Sequence, residues 1–376
     1  MESRVGMMVM GRVGLYRGLS ISTRGSPTIT WSGPASLESR GSGGRSSVSG
    51  IVAAVFGSTG FLGRYVVNQL GRVGSQVMVG WRGDELDYRH LRPMGDLGQV
   101  VPMEMDLRDR DSLHRMLRGA NTVINLIGKP YPTRYYSLHD VHVEGAETLA
   151  EVAREHGITT FIHVSCANPD PKARSEWVRT KAAGEEAVRR IIPSATIIRP
   201  CDMFGMEDRF LTRMARCIVN QPVVLLVDDG DHKVQPVYVN DVASVIASAA
   251  EDPEFFRGKV VALGGPRVCT VRDVFNFTVE NTRRHSLAVP LPRLIADPIM
   301  RLSGLRFPFI NNSPTYTHDD VRREVTDDIL PKKADEVRFE DLDIVPADIF
   351  SDVGNEILRQ FRKGGDRSSL FYVDSA

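Results

Sequence analysis

From residue 51 onward, short apolar runs alternate with longer stretches whose apolar positions recur every three or four residues. The first run, Ile51–Phe56, is apolar throughout, as in a strand buried on both faces. After Thr59, the residues Phe61, Leu62, Val66, Val67 and Leu70 share one face of a helix. The same reading predicts strands at Gln76–Gly80, Val100–Met105, Thr122–Ile127, Thr160–Val164 and Ala195–Arg199. It predicts helices at Asp111–Arg118, Asp140–His156 and Ser175–Arg190. Such alternation predicts an α/β fold, a doubly wound parallel sheet with helices on both faces. Past about Pro200 the pieces shorten to a helix near Arg209–Val219, strands at Val223–Val227 and Val260–Leu263, and a helix after Thr270. They predict a smaller C-terminal α+β lobe. The expected divisions are a leader over 1–50, a sheet domain over 51–200, the lobe over 201–350 and a tail over 351–376.

Composition refines this picture at the N-terminus. Residues 1–50 hold six arginines, eleven serines and ten glycines against two acids. Arg-rich, Ser-rich and acid-poor sequence reads as an organellar transit peptide, mitochondrial or plastid, the alternative being a disordered tail with no address, and Arg12 and Arg17 interrupt the apolar stretch a secretory signal would need. The cleavage point is expected between about Gly33 and Gly50. Over the whole chain, 47 Lys and Arg balance 47 Asp and Glu, which argues against nucleic acid as the main partner. The four cysteines have no CxxC spacing, so they read as reduced thiols and not as a zinc site or disulfide frame. No apolar run reaches the roughly 18 residues of a membrane span.

The sharpest chemical signal is Gly57-Ser58-Thr59-Gly60-Phe61-Leu62-Gly63, directly after a strand and opening a helix. Glycines here allow a tight turn, close backbone approach to a pyrophosphate and close helix–strand packing. The phosphates then meet free N–H groups at the positive end of the helix dipole. This predicts a Rossmann-type dinucleotide site. Arg82 follows the second strand, where a guanidinium would pair with a ribose 2′-phosphate, so NADPH is the expected cofactor. Asp84 is either a turn residue or the ribose acceptor of an NAD site. Asp106-Leu107 after the third strand suits an adenine contact, and Asn125-Leu126-Ile127-Gly128 after the fourth suits the ribose and nicotinamide.

This spacing resembles the extended short-chain dehydrogenase/reductase superfamily, whose members use Tyr-x-x-x-Lys on the helix after the fifth strand. Here the stretch reads Trp177-Val-Arg-Thr-Lys181. Lys181 remains as a cofactor clamp, but an indole N–H only donates hydrogen bonds and cannot shuttle a proton. The resemblance places the Ser/Thr partner near Ser165-Cys166, with Cys166 at the catalytic position. Tyr131, Tyr135 and Tyr136 are loop residues that could substitute as acids. His139, His142 and His163 read as structural, and no metal-ligand spacing is present.

A narrower resemblance is carried by His90-Leu-Arg-Pro-Met-Gly-Asp-Leu-Gly-Gln99, Val123-Ile-Asn-Leu-Ile-Gly128, Phe161-Ile-His-Val-Ser165, Phe204-Gly-x-Glu-Asp-Arg-Phe210 and Gln235-Pro-Val-Tyr-Val-x-Asp-Val242. These strings resemble the nucleotide-binding accessory subunits of mitochondrial respiratory complex I, atypical short-chain dehydrogenases of its peripheral arm. The likeness runs from about Val52 to Pro346. That family commonly keeps a Tyr where this chain has Trp177. Membership would imply NADPH bound without hydride transfer, by Gly57 to Gly63, Arg82, Asp106, Leu107, Leu126, Ile127, Gly128, Ser165 and Lys181. It would also imply a place on the matrix side of the inner membrane, with partners in the quinone module and membrane arm. Leu287–Ile310, which mixes apolar residues, prolines and arginines, reads either as a docking segment for protein or lipid headgroups or as a helix packed on the lobe. The competing functional readings are an active NADPH-dependent reductase of an organelle and a redox-sensing or RNA-associated regulator.

Overall fold

In the computed structural model the described residues are 39, 44–292, 317–324, 326–331 and 336–363. Its main sheet contains β1 (Val52–Phe56), β2 (Gln76–Trp81), β3 (Val100–Glu104), β4 (Thr122–Asn125), β5 (Thr160–Val164) and β6 (Thr196–Pro200). Six more strands, β7 (Met203–Phe204), β8 (Val223–Val227), β9 (Lys233–Val234), β10 (Val237–Tyr238), β12 (Cys269–Thr270) and β13 (Leu287–Leu291), pair in two-stranded ribbons. Two late strands, β11 (Val260–Leu263) and β14 (Glu336–Val337), return to the main sheet. Its order is β14-β11-β6-β5-β4-β1-β2-β3, and every pairing is parallel. The order reverses between β1 and β4. In open α/β sheets that reversal leaves a crevice beyond the strands' carboxyl ends, where ligands bind.

The helices are α1 (Phe61–Val73), α2 (Leu86–Arg89), α3 (Arg110–Leu117), α4 (Gly145–Glu155), α5 (Glu176–Ile191), α6 (Leu211–Asn220), α7 (Val239–Glu251), α8 (Pro253–Phe256), α9 (Val271–Thr282), α10 (His318–Glu324) and α11 (Asp352–Arg359). Strand alternation divides the core between the sheet's two faces. Ala53 and Val55 face a cluster with Val66, Val67 and Leu70 of α1 and Val242, Val245 and Ile246 of α7. Val52, Ala54 and Phe56 face the opposite cluster with Leu113, Met116, Leu149 and Val188 of α3, α4 and α5. Each fully buried Val or Leu contributes roughly 1.5–3 kcal/mol. A third core, with Phe204, Leu211, Val224, Phe275, Ile357 and Leu358, belongs to the small lobe.

The doubly wound sheet follows the sequence pattern, and segments from beyond both ends of the expected domain pack onto it. Residues 44–50 are part of the fold. Ser49 N donates to Gly74 O at 3.2 Å, and Gln99 Nε2 reaches the Arg45 carbonyl. A leader extending to residue 50 would cut into this packing. The second half is not a self-contained lobe, because β11, β14 and α7 complete the sheet and its cover. Alternation did not predict α7, a helix that buries Val242, Val245, Ile246 and Ala249 on the sheet and turns Asn240, Ser244, Ser248 and Glu251 the other way. The expected tail from residue 351 begins with α11, whose Ile357 and Leu358 are buried in the lobe. The start of Leu287–Ile310 is neither helix nor loop: Leu287–Leu291 forms β13, parallel to β8. Residues 293–310 lie outside the described residues, as do positions 1–38. Among the described residues, no helix is long and apolar enough to cross a membrane.

Candidate dinucleotide site

At the end of β1 the chain turns through Gly57, whose φ is +81°. A Cβ there would sit 3.0 Å from the Leu126 carbonyl carbon, so the turn can pass this closely only as glycine. Gly63 is tighter still, with a Cβ only 2.5 Å from the Gly57 and Ser58 carbonyl oxygens. Between them, exposed Gly60 caps α1 without a side-chain partner, and the first turn holds no acidic residue. The helix therefore offers its N–H groups and positive dipole end without internal competition, the arrangement that binds phosphate. Thr59 is half-buried in this loop. Two neighbours serve the fold with their side chains: Ser58 Oγ donates to Gly80 O at 2.9 Å, and Leu62 lies in the core. Their expected contact with a cofactor is thus limited to backbone. Phe61 packs edge-on against Tyr65.

Arg82 and Asp106 meet across the ends of β2 and β3, 3.8 Å apart and partly exposed. Asp84 Oδ1 instead accepts the Leu86 N–H at 3.0 Å, which makes it a turn residue. Leu107 packs against Gly145. β4 ends two residues earlier than its apolar run, because Asn125 Oδ1 accepts the Ile127 N–H and turns the chain across the crevice. Leu126 and Ile127 are partly buried against opposite cores.

Gly128 lies beside the Lys181 ammonium, 3.2 Å from where its Cβ would stand. Lys181 Nζ is buried and donates to Val164 O at 3.1 Å, and burial lowers its pKa. Around it stand two histidines. His142 Nε2 accepts the Lys129 N–H, so Nδ1 carries the proton and donates to Thr180 Oγ1 at 2.8 Å. Asn125 Nδ2 donates to His163 Nδ1 at 3.1 Å, which places that ring's proton on Nε2. Burial, then the Lys181 charge, pushes His142 down to about 2 and His163 down to about 3. Neither can act as an imidazolium acid near neutrality. Burial raises the Cys166 thiol to about 11, which rules it out as a ready thiolate.

Trp177 occupies the acid position one turn before Lys181, its ring centroid 5.9 Å from Nζ. His142 packs edge-on against the indole, and further neighbours come from a distant stretch. The Arg323 guanidinium lies 4.4 Å over the indole, and Asp319 on the same helix caps α5. Asp319 accepts from Ser175 Oγ at 2.7 Å, Glu176 N at 2.9 Å and Trp177 N at 3.1 Å. Arg323 also donates to Asp202 at 2.9 Å, and Asp202 N donates to Asp328. Burial and the Asp202 charge push Asp328 up to about 7. The loop tyrosines lie elsewhere: Tyr136 on Asp106, Tyr135 exposed and Tyr131 beneath Arg209. Sequence reasoning missed His142, Asp319 and Arg323 as site neighbours. His142 could have been found as a polar residue on the apolar face of its helix, whereas nothing local marks the other two.

The residues present fit a nicotinamide dinucleotide. Buried Ser165 Oγ and His163 Nε2 have no partner among the described residues. Buried polar atoms of that kind are bonded in native proteins, to a bound group or water if not to protein. His139, Asp140 and Glu144 could converge on a cation, but they are largely exposed, and Ser137 and Arg108 already engage Asp140.

The NAD dependent epimerase/dehydratase family model matches residues 53–264. The chain is 44% identical over 347 residues to NADH dehydrogenase (ubiquinone) 1 alpha subcomplex subunit 9, mitochondrial, of Arabidopsis thaliana, covering 91% of this chain and 86% of that protein. It is 39% identical over 322 residues to the NADH-ubiquinone oxidoreductase 40 kDa subunit, mitochondrial, of Neurospora crassa, covering 86% and 82%. Among solved structures, the Citrobacter sp. triphenylmethane reductase complexed with NADP(H) superposes with a TM-score of 0.63 at 16% identity, covering 83% of this chain and 100% of that one. That likeness speaks to fold alone.

Proposed function

This chain belongs to the NAD dependent epimerase/dehydratase family and, within it, to the family of the alpha subcomplex subunit 9 of mitochondrial NADH dehydrogenase (ubiquinone), and from that premise we propose that it holds NADPH as a structural ligand without turning it over. The observation that carries the reading is Trp177 at the proton-donor position, one turn from Lys181 and covered by Arg323. When bound, the nucleotide would supply a hydride, but His142, His163 and Cys166, the titratable groups that feel the Lys181 charge, are all held far from neutrality. Arg82 would take the 2′-phosphate, the α1 N-terminus the pyrophosphate, and Lys181 the nicotinamide ribose. That Asp84 is engaged in its turn supports NADPH over NADH.

Holding a ligand serves assembly because the glycine loop touches the lobe. Glu207 accepts from Tyr65 Oη at 3.4 Å and pairs with Arg64 at 3.5 Å, while Phe61 packs against Gly205. A nucleotide seated on α1 would therefore brace both bodies. At a concentration a hundredfold above Kd it stabilises the folded state by about 2.7 kcal/mol. The surface so fixed would dock among the quinone-module and membrane-arm subunits of respiratory complex I, on the matrix side of the inner membrane. Exposed Val223, Leu225, Leu287 and Val289 on the β8–β13 ribbon support such contact. The test has two arms. Protein purified from mitochondria and denatured should release NADP(H) in near-stoichiometric amount by mass spectrometry. On native gels of solubilised mitochondria the chain should migrate with a megadalton respiratory complex. Release of NAD(H) overturns the cofactor, and a free monomer overturns the assembly role.

A further inference from the structure

At the adenosine end of the crevice, one side chain of the protein already engages the groups a nucleotide would use. Tyr136 lies in the loop after β4, closed as a turn by Thr133, whose N–H donates to Tyr136 O at 2.9 Å and whose Oγ1 accepts from Tyr136 N at 3.2 Å. The Tyr136 hydroxyl donates to both Asp106 oxygens, at 2.9 and 3.1 Å. The Arg82 guanidinium lies 4.7 Å over its ring and that of Arg108 lies 4.1 Å over it. Arg108 Nη2 also holds the loop by donating to Tyr135 O at 2.8 Å. A cavity of about 250 Å³ adjoins the ring, with Leu107, Gly145 and Thr148 in its wall.

Adenine is a flat aromatic that stacks on guanidinium groups and donates through its exocyclic amine to a carboxylate. Tyr136 presents the same two features to the same kinds of partner. We propose that Tyr136 is a built-in mimic of the adenine ring: it must leave Asp106 and the face of Arg82 before the adenosine half of a dinucleotide can be seated. This rests on the reading that the crevice binds NADPH. The loop is then a latch. Nucleotide arrival swings it outward, together with exposed Tyr135 and its neighbour Arg134, so that occupancy is displayed on the surface.

The test titrates the full-length mature chain with three probes: NADPH, adenosine 2′,5′-bisphosphate and reduced nicotinamide mononucleotide, which lacks the adenosine. Tyr136→Phe keeps the ring but releases Asp106, and should bind the two adenosine-bearing probes about threefold tighter. Tyr136→Ala removes the stacking as well, and should gain roughly tenfold with a faster association rate. The mononucleotide should bind wild type and variants alike. If wild type binds NADPH but Tyr136→Phe binds it equally or more weakly, the mimicry is wrong and the cofactor reading stands. If even Tyr136→Ala binds no NADPH, the cofactor reading falls and takes the latch with it.

Discussion

Replacing Asp319 by Ala tests whether the distant α10 holds the proton-donor position in place. The buried carboxylate accepts three hydrogen bonds at the start of α5, two of them from the backbone N–H groups of Glu176 and Trp177. Hydrogen bonds to a charged group contribute about 1.5–3 kcal/mol each, and a carboxylate at a helix N-terminus adds about 0.3–1 kcal/mol through the dipole. These do not add fully, because freed amides can recruit water and Ser175 Oγ still accepts from Val178 N. A net loss of about 2–4 kcal/mol is therefore expected. At roughly 1.4 kcal/mol per tenfold, local opening of this end rises roughly 30- to 700-fold. Native-state hydrogen exchange reads it directly: Glu176, Trp177 and Val178 amides should lose that much protection while α3 amides keep theirs. Asp319→Asn, which retains an acceptor, should fall between. A change below threefold, or an equal loss at α3, would refute the capping argument.

Gly63→Ala should prevent NADPH from raising the melting temperature, because its Cβ would collide with two backbone carbonyl oxygens that cannot move independently. Arg82→Ala should weaken NADPH roughly tenfold more than NADH by titration calorimetry, since both lose the guanidinium against adenine but only the former loses a phosphate partner. An equal loss for both would remove Arg82 from that role. His142 and His163 have folded values of about 2 and about 3, below the unfolded value of roughly 6.5. The unfolded chain therefore takes up protons first on acidification. The stability at stake is intact above about pH 6.5 and is lost as pH falls towards the folded values, by up to about 1.4 kcal/mol per pH unit for each ring. His163→Asn should flatten that slope in denaturation followed across pH 6.5 to 5, and an unchanged slope would mean the ring is protonated in the folded protein.

What could be read from sequence is what local chemistry decides. Buried strands such as Val52–Phe56 announce themselves as unbroken apolar runs, and the glycine loop is legible because Gly57 and Gly63 answer to backbone clashes only a few residues away. Arg82 is preferred to Asp84 in the sequence because it comes first after the strand. The structure adds what local pattern does not carry, a hydrogen bond from Leu86 N to Asp84 within the turn. The rest depended on contacts between segments far apart in the chain. Asp319 caps a helix more than 140 residues upstream. Tyr136 offers no sequence clue that its hydroxyl ends on Asp106 rather than near Lys181. The two-residue β14 is too short for periodicity to reveal, and it is placed by pairing with β11 and by the ion pair between Arg199 and Glu336.

Because α7, β11 and β14 all lie beyond residue 238, the nucleotide-binding body is not a module that can be cut free. During synthesis or translocation the first 200 residues emerge with the β6 edge unpaired and the bed for α7 bare. Such an intermediate presents an open strand edge beside apolar surface, the combination most prone to sticking to other chains. Proteostasis factors must therefore shelter it until about residue 337 has arrived. A premature stop between β6 and β11, which leaves the β6 edge unpaired, should yield an insoluble product, not a shortened nucleotide binder.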